Sequence, residues 1–373
     1  MDKKLLAFTL SFMILLFLGL LFPFLYQKRD WWSEISKNKV VPTIKGVFIY
    51  YYWQGTRFSS PSSIDNYIEQ LSKFGFNLVV PQGLDSGVSY YNSSLNPTKF
   101  GDFDLLKEVI LSSHKRNIKV WPWVMPFTAS YAFISKNPSF AAIKADGSVN
   151  YGLLDIANQK VQDFVYNELI EIVKDYDVDG INIDIEYSGS YSQLDKFLFE
   201  KEFNISSINW PSDVLENGKY RKEYTKWMSS IITNFLERLT ANIRRLKPGI
   251  IISYDVVYDP ELAMSWYFTD WRTWIKDGLV DVISPMIYHR DSGEPVSWVK
   301  DASKVTSSYL PTNVTLIPCI GGSYSNTISM PASEWLESVK YAMEGGSNGV
   351  LVFADVCVSK DVWQFFEKYF YDP

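Results

Sequence analysis

The feature that most constrains the fold is a repeated alternation of short apolar segments with longer amphipathic segments. From Thr43 onward the sequence offers eight such pairs, from "KGVFIYYYW" with "SSIDNYIEQLSKFGF" to "NGVLVFADV" with "KDVWQFFEKYF". In the first pair, Ile64, Tyr67, Ile68 and Leu71 recur at the spacing of one helix face. Strands that alternate with helices form a parallel sheet. Eight units over about 250 residues or more indicate an α/β fold, the (β/α)8 TIM barrel.

A doubly wound open sheet is the alternative architecture, because it uses the same alternation of strands and helices. No glycine-rich phosphate loop follows the first predicted strand. The sequence therefore favours the closed barrel, which we expect in residues 44–373 after a short linker in residues 30–43.

The N-terminus differs in composition from the rest of the chain. Residues 5–26 are apolar and uncharged, and Lys4 and Lys28 flank them. Roughly 20 apolar residues can cross a bilayer, whereas a cleaved signal peptide has a shorter apolar region and a small-residue cleavage site. We predict that residues 1–29 form a retained membrane anchor with a transmembrane helix over about residues 5–26, with a cleaved signal as the alternative. Positive charges at both ends leave the orientation open under the positive-inside rule.

Charge and residue counts exclude several functional classes. The formal net charge is −6 and no Lys/Arg run of note occurs beyond the N-terminus, so we expect no nucleic-acid partner. With only two histidines, His114 and His289, a histidine-rich zinc site cannot form, and we expect neither a metal nor another cofactor. Two cysteines, Cys319 and Cys357, are too few for a disulfide-built scaffold. They are either one disulfide or two buried thiols.

The fourth predicted strand carries the strongest functional signal. In "DVDGINIDIEYSG", Asn182, Asp184 and Glu186 alternate with isoleucines, so the polar trio shares one face of the strand. An edge strand with one face in water would explain this pattern, but the fourth strand of a barrel has neighbours on both sides. Buried carboxyl groups are costly unless they are paired. We therefore predict that the trio points into the barrel and lies near the C-terminal rim, where barrel active sites sit.

Two family resemblances rest on these residues. "VDGINIDIE", followed by Tyr187, resembles the Asp-Gly-x-Asp-x-Asp-x-Glu motif of family 18 glycoside hydrolases, the chitinase group. "PMIYHRD" resembles the Met-x-Tyr-Asp motif of that family through Met286 and Tyr288. "FGFNLVV", "HKRNIKVWPWV" and "WIKDGLVDVISPMIY" are similar to the glycosyl-hydrolase-like 10 group of bacterial and archaeal surface proteins, over residues 45–353. Both resemblances imply a sugar-cleaving barrel. Asn182 and His289 stand where the family 18 motifs have Asp, which disfavours chitin as the substrate.

Glycoside hydrolysis needs an acid for the leaving oxygen and a second group for the oxocarbenium-like centre. Glu186 is the predicted general acid, and Asp184 would hydrogen-bond it and help to hold its proton. The seventh strand, "TLIPCIGGSYSN", offers no carboxylate, which favours substrate assistance. A second carboxylate could instead come from one of three aspartates, each of which could equally be a helix cap or a loop salt bridge. They are Asp255, Asp291 and Asp355.

The remaining site residues are predicted to bind sugar. Tyr288 would contact the reacting sugar, and aromatic side chains suit the apolar face of a sugar ring. The predicted binding residues are Asn182, Trp121, Trp123, Gln82, Asp255, His289 and Asp355. We expect the long loops, about residues 127–151 and 188–219, to build the cleft walls.

The sequence thus predicts a glycoside hydrolase that is anchored in the cell membrane by one span, with its barrel outside the cytoplasm. Its expected substrate is a polysaccharide or oligosaccharide of the cell surface or surroundings. The alternative is a non-catalytic carbohydrate-binding barrel of the cell envelope. A buried acid such as Glu186 favours the enzyme, because a binding protein has no use for it.

Overall fold

Eight parallel strands close into a barrel in the computed structural model, which describes residues 41–51, 55–96 and 102–370. The strands are β1 Ile44–Ile49, β2 Leu78–Ser86, β3 Lys119–Val120 with Trp123–Ala129, β4 Gly180–Asp184, β5 Ile251–Val256, β6 Val282–Ile287, β7 Thr315–Leu316 with Cys319–Gly321, and β8 Gly349–Phe353. Each strand pairs in parallel with the next, and β1 pairs with both β2 and β8, so that Gly46 lies opposite Leu78 and Leu351. This closure confirms the predicted (β/α)8 barrel and excludes the open sheet.

A helix follows each strand and covers the outside of the barrel. These helices are α1 Pro61–Lys73, α2 Leu105–His114, α3 Gln159–Asp175, α4 Arg221–Leu246, α5 Trp271–Lys276, α6 Trp298–Ser307, α7 Ala332–Glu344 and α8 Lys360–Phe370. Helix α1 illustrates the local rules. At its N-terminus the Ser60 side chain accepts from the Ser63 backbone nitrogen, and the Ser63 side chain accepts from the Ser60 backbone nitrogen. Pro61 occupies the first turn. The predicted apolar face of α1, which includes Ile64 and Leu71, is buried.

Additional elements are inserted mainly between strands and the helices that follow them. They are the helices Tyr131–Lys136, Gln193–Phe203, Pro260–Tyr267 and Tyr324–Thr327, the strands Val88–Ser89, Ala141–Ile143 and Val149–Leu154, and the 3-10 turns Gly55–Phe58, Pro138–Phe140, Ser212–Val214 and Asp355–Cys357. Such insertions extend the C-terminal rim of a barrel, the end where barrel active sites lie.

Large side chains fill the interior of the barrel. The interior cluster contains Phe48, Leu78, Val80, Trp121, Trp123, Val282, Ile317, Cys319, Leu351 and Ala354. The isoleucines of β4, Ile181 and Ile183, are also fully buried but are not members of this cluster. The two faces of β4 are therefore distinct, as the alternation of its residues predicts.

Both cysteines are buried free thiols, which decides between the two alternatives that the sequence leaves open. The Cys319 thiol lies 3.6 Å from Oδ1 of Asp255, whereas the Cys357 thiol lies 3.8 Å from the carbonyl oxygen of Gly322. Each thiol therefore has its own partner, and no disulfide joins them.

The predicted anchor and most of the predicted linker lie outside the described residues. Within the described part, no helix is both long enough and apolar enough to cross a membrane. The described residues from Pro42 onward belong to one compact unit. The anchor and its boundaries with the linker and the barrel domain stay predictions.

Candidate active site

Strand β4 places its polar face inside the barrel. Asn182 lies in register with Trp123 of β3 and Ser253 of β5, and Asp184 lies in register with Asp255. The Asn182 amide donates to Oδ1 of Asp255 at 3.0 Å and to the Ser253 hydroxyl at 3.2 Å. Asn182 is fully buried. It therefore lies beneath the carboxyl groups and orients Asp255 from below.

Asp184 is a buried carboxyl group that faces the cleft. The residue is only 7% exposed, and the Trp123 indole donates to its Oδ2 at 3.2 Å. Its Oδ1 receives no hydrogen bond from the described residues. Burial raises the pKa of Asp184 well above its usual range, the negative charges of Asp255 and Glu186 raise it further, and the bond from Trp123 opposes the rise. The raised pKa favours the protonated form of Asp184.

Asp255, at the end of β5, is the second buried carboxyl group of the cleft. It is 6% exposed and accepts from the Asn182 amide and the Cys319 thiol. Burial raises the pKa of Asp255 to about 7, and the two hydrogen bonds oppose that rise. Because adjacent buried carboxyl groups resist double ionisation, Asp184 and Asp255 act as one titrating pair.

Glu186 lies at the mouth of the cleft, beyond the end of β4, where its side chain is exposed, which corrects the expectation that this acid is buried. Partial withdrawal of its carboxyl group from water raises its pKa, and a hydrogen bond from Tyr267 opposes the rise. Tyr267 is the last residue of the helix Pro260–Tyr267, which follows β5. A carboxyl group with a raised pKa at an open rim is suited to donate a proton to a leaving group.

The cleft has a volume of about 440 Å³, and five of its described lining residues are aromatic. Its lining residues are Tyr50, Trp123, Met125, Asp184, Glu186, Asp255, Met286, Tyr288, Asp291, Gly322, Ser323, Tyr324, Phe353, Ala354, Val356 and Cys357. Half-buried Tyr288 stacks on Phe353 with ring centroids 5.6 Å apart, and Trp123 meets Phe353 edge-on at 5.7 Å. Rings next to carboxyl groups are the surfaces that sugars use.

The structure brings together one subset of the residues singled out in the sequence. Asp184, Glu186, Asp255, Trp123 and Tyr288 all line the cleft, as predicted from their strand positions. Their roles in binding and catalysis stay predictions.

Trp121 and Gln82 lie elsewhere, which corrects their predicted position. Trp121 is buried in the barrel interior, where its ring covers Gly180 so closely that a Cβ there would come within 2.6 Å of it. Gln82 is buried and donates from its amide nitrogen to the Asp85 carboxylate at 3.3 Å. Neither residue lines the cleft.

His289 and Asp355 also lie outside the cleft, because the side chain of each is hydrogen-bonded elsewhere. Nε2 of His289 lies 2.8 Å from the Glu334 carboxylate. Asp355 begins a 3-10 turn and accepts from the Tyr50 backbone at 3.1 Å and the Tyr67 hydroxyl at 2.5 Å. Both side chains therefore stabilise loops and do not line the cleft.

Asp291, the remaining candidate for a second carboxylate, does line the cleft. Ser323 donates to it from both its backbone nitrogen and its hydroxyl, each at 2.7 Å, and Asn326 donates at 2.6 Å. These bonds hold the loop after β7. Asp255 is therefore the candidate that is best placed beside Asp184.

The two long loops do not form the cleft wall. No described residue of 127–151 or 188–219 is among the lining residues, which come from the C-terminal ends of β1 and β3–β8 and from the loops after β6, β7 and β8. The long loops fold into a hairpin and helices of their own, and they bond to each other through Tyr191 and Ile143. The expectation that these loops build the cleft walls was therefore wrong.

Sequence reasoning missed several residues of the cleft. Tyr50 directly follows the last residue of β1, and Phe353 is the last residue of β8. An aromatic residue at the C-terminal end of a barrel strand is a signal that could have identified both. Tyr267 and Tyr324 belong to inserted helices, for which the sequence carries no comparable signal.

The site is equipped for acid–base chemistry. It combines an exposed carboxyl group with a raised pKa and a buried pair that holds a proton beside aromatic walls. Among the residues that the structure describes, no group of three or more His, Cys, Asp or Glu side chains could hold a metal ion.

Comparison with known proteins places the chain among glycoside hydrolases. Residues 29–335 match the family described as glycosyl hydrolase-like 10. The chain is 23% identical to the glycosyl hydrolase DigH of Escherichia coli over 306 residues, which are 70% of this chain and 63% of that protein. It is 23% identical to the glycosyl hydrolase YngK of Bacillus subtilis over 260 residues, 59% of this chain and 48% of that protein. The match thus spans less than two thirds of these relatives.

Solved structures share the fold. The glycoside hydrolase domain of PgaB (BpsB) from Bordetella bronchiseptica superposes with a TM-score of 0.67 at 12% identity, covering 85% of this chain and 95% of that domain. The β-galactosidase Gan42B from G. stearothermophilus superposes with a TM-score of 0.68 at 15% identity, covering 89% of this chain and 57% of that one. At this identity the superpositions support the barrel architecture, because one fold hosts many activities.

Proposed function

Because this chain belongs to the glycosyl hydrolase-like 10 family, we propose that it is a glycoside hydrolase that cleaves glycosidic bonds of a polysaccharide by acid–base catalysis. The observation that carries the proposal is the juxtaposition of Glu186, Asp184 and Asp255 at the carboxyl ends of β4 and β5, inside one aromatic cleft. Barrel enzymes place their catalytic groups at these strand ends.

In the proposed mechanism, Glu186 protonates the leaving oxygen. Its exposure at the rim admits the substrate, and its raised pKa keeps a larger fraction of the carboxyl group protonated near neutral pH. Asp184 lies two residues before Glu186 and deeper in the cleft. There it positions the Glu186 carboxyl group and helps it to hold its proton, and it accepts a hydrogen bond from the reacting sugar. Tyr288 and Trp123 hold the sugar ring on the aromatic wall.

The nucleophile is proposed to come from the substrate. Strand β7 and the loop after it, "TLIPCIGGSYSN", supply no carboxylate, and an N-acetyl group beside the anomeric carbon would take that role, as in substrate-assisted glycosidases. This route predicts net retention of configuration. Inversion, seen by NMR of the first product, would instead identify Asp255 as the base that activates water.

The proposed location of the activity is outside the cytoplasm, on a barrel tethered to the cell membrane. The uncharged apolar run in residues 5–26 supports a membrane span, and a polymeric substrate lies on that side. A non-catalytic carbohydrate-binding barrel is the alternative function. It would bind sugar through the same aromatic wall but would show no turnover.

Replacement of the proposed acid tests the function. The chain is first assayed on a panel of polysaccharides to identify a substrate, and Glu186→Gln is then compared with the wild type on it. The variant keeps the shape and hydrogen bonding of the side chain but removes the proton, so activity should fall by about 10²–10⁴-fold. Binding of the same sugar, measured by calorimetry, should persist.

Glu294→Gln is the matched control, because Glu294 is exposed in the loop after β6 and does not line the cleft. It should retain wild-type turnover. Wild-type turnover by Glu186→Gln would overturn the proposed role of Glu186. Binding without turnover by the wild type on every polymer would favour the carbohydrate-binding barrel.

A further inference from the structure

A second pair of buried carboxyl groups lies outside the cleft. Asp155 follows the hairpin strand Val149–Leu154 in the insertion after β3, and Asp195 lies in the first turn of the helix Gln193–Phe203 in the insertion after β4. Asp155 is 3% exposed and Asp195 is 0% exposed. The two carboxyl groups are within hydrogen-bonding reach of each other.

Ser192 connects the two carboxyl groups. Its hydroxyl donates to Oδ2 of Asp155 at 2.9 Å, and its backbone nitrogen donates to Oδ2 of Asp195 at 2.7 Å. The Ser190 hydroxyl also donates to Oδ2 of Asp195 at 2.7 Å, and the Ala157 backbone donates to Oδ1 of Asp155 at 3.2 Å. Oδ1 of Asp195 is buried and receives no bond from a donor of the described residues.

The pair fixes the irregular segment that follows the proposed acid. Ser190 and Ser192 lie only a few residues after Glu186, in residues 187–192. In the same segment Tyr191 donates to the Ile143 carbonyl of the hairpin at 2.8 Å, and Tyr187 accepts from the Ile156 backbone at 3.4 Å. The hairpin and the strand-β4 insertion are therefore tied together at the carboxyl pair.

Two buried carboxylates with no cation bonded to them would repel each other, and one proton between them converts the repulsion into a strong hydrogen bond. We infer that Asp155 and Asp195 share one proton and are positioning residues for Glu186, holding residues 187–192 against the hairpin. The positioning part rests on the proposed function. Burial and, after it, the Asp195 charge raise the pKa of Asp155 to about 8, and burial also raises the pKa of Asp195.

The other titratable groups that face the pair do not supply a neutralising charge. Tyr187 and Tyr191 of the strand-β4 insertion and Tyr224 of α4 surround it, and burial raises the pKa of each, so all three remain neutral. Arg221, at the start of α4, interacts with Tyr191 and donates to the Ser265 carbonyl at 3.2 Å.

The shared proton gives a pH dependence of defined sign. An unfolded aspartate ionises near pH 4, whereas Asp155 in the folded chain ionises at about 8. Between these values the folded state binds a proton that the unfolded state lacks. The stabilisation is therefore complete below about pH 4 and is lost as pH rises through about 8.

Asp195→Asn tests the shared proton without any need for activity. The amide oxygen can take the place of Oδ2 and keep its bonds to Ser190 and Ser192, while the amide nitrogen replaces Oδ1 and donates to Asp155. The melting temperature of the variant relative to the wild type should therefore rise on the order of 10 °C between pH 5 and pH 9. Amide hydrogen exchange in residues 187–192, corrected for intrinsic rates, should accelerate at pH 9 in the wild type only.

Asp146→Asn is the matched control, because Asp146 is an exposed aspartate in the turn of the same hairpin and accepts from the Ser148 backbone at 2.9 Å. Its melting temperature should follow that of the wild type at every pH. A constant difference between Asp195→Asn and the wild type would overturn the shared proton. Stabilisation by added calcium that EDTA reverses would also overturn it, since the pair would then be a cation site.

Kinetics at pH 6 test the positioning role. Asp195→Ala removes the link, so kcat should fall on the order of 10–100-fold with little change in KM, and Asp195→Asn should restore it. An unchanged kcat in Asp195→Ala, or a failure of Asn to rescue it, would overturn positioning even if the melting data agree. A wild-type chain that turns over no substrate would refute the proposed function, while melting and exchange would still decide the shared proton.

Discussion

At the scale of single residues, two tryptophans of β3 show how two positions along the strand separate a site residue from a core residue. Trp121 and Trp123 point into the same barrel, but only Trp123 reaches the cleft and bonds to Asp184. Trp121 lies deeper, over Gly180. Tryptophan therefore packs the barrel interior at position 121 and donates a hydrogen bond to a carboxyl group at position 123.

Trp123→Phe should weaken activity by altering Asp184. The substitution keeps most of the ring contacts with Phe48 and Phe353 but removes the donor at 3.2 Å from Oδ2 of Asp184. Because that bond lowers the pKa of Asp184, its loss should raise the pKa further and move the acid limb of the pH–rate profile to higher pH. A hydrogen bond to an uncharged carboxyl group contributes about 0.5–1.5 kcal/mol, so the loss of activity should be roughly 2–10-fold.

Trp121→Phe serves as the control for the general cost of replacing a buried tryptophan in β3. It should lower stability without moving the acid limb. Equal pH profiles for the two variants would contradict a specific role of the Trp123 indole.

At the scale of secondary-structure elements, the first residue of β4 decides whether the strand can approach β3 and β5. A Cβ at Gly180 would come within 2.6 Å of the Trp121 ring and within 2.9 Å of the Ile251 carbonyl oxygen. Only a residue without a side chain fits between them. The polar face of β4 therefore depends on glycine at its start.

Gly180→Ala should destabilise the barrel by about 1–3 kcal/mol, because the new methyl group overpacks a site bounded partly by backbone. Chemical denaturation measures this loss. Gly152→Ala is the comparison, since Gly152 lies in the exposed hairpin strand and a Cβ there makes only an ordinary 3.5 Å contact. A wild-type free energy of unfolding in Gly180→Ala would show that β3 and β4 can separate without cost.

At the scale of the whole molecule, the barrel has one functional end. The cleft opens at the carboxyl ends of the strands, and the inserted elements that follow the strands enlarge that end. The proposed membrane tether precedes β1 and is encoded by the apolar run in residues 5–26. Placement of the barrel outside the cytoplasm is what would bring the cleft to a polymeric substrate.

Protease treatment of intact cells tests this topology. If residues 1–29 remain as an anchor and the barrel faces outward, added protease should release the barrel into the medium, as detected with an antibody to the barrel. Lysed cells serve as the positive control for cleavage. Protection in intact cells would contradict the orientation, and a mature protein that begins after Tyr26 would contradict a retained anchor.

The sequence by itself determined the barrel and the centre of the site. Alternation of strands and helices is a local pattern, and the period of two in β4 assigns Asn182, Asp184 and Glu186 to one face before any packing is known. Trp123, Tyr288 and Asp255 followed from their places near strand ends. These inferences hold because each depends on spacing along one strand.

Only the tertiary structure decided which partner each side chain meets. Trp121, Gln82, His289 and Asp355 were predicted to bind sugar, yet depth in the barrel or a bond across a loop removes each of them from the cleft. The same is true of the pairing between Asp155 and Asp195, 40 residues apart in the sequence. Contacts between separate insertions depend on how the loops fold over the rim, and the period of a strand or helix carries no information about that.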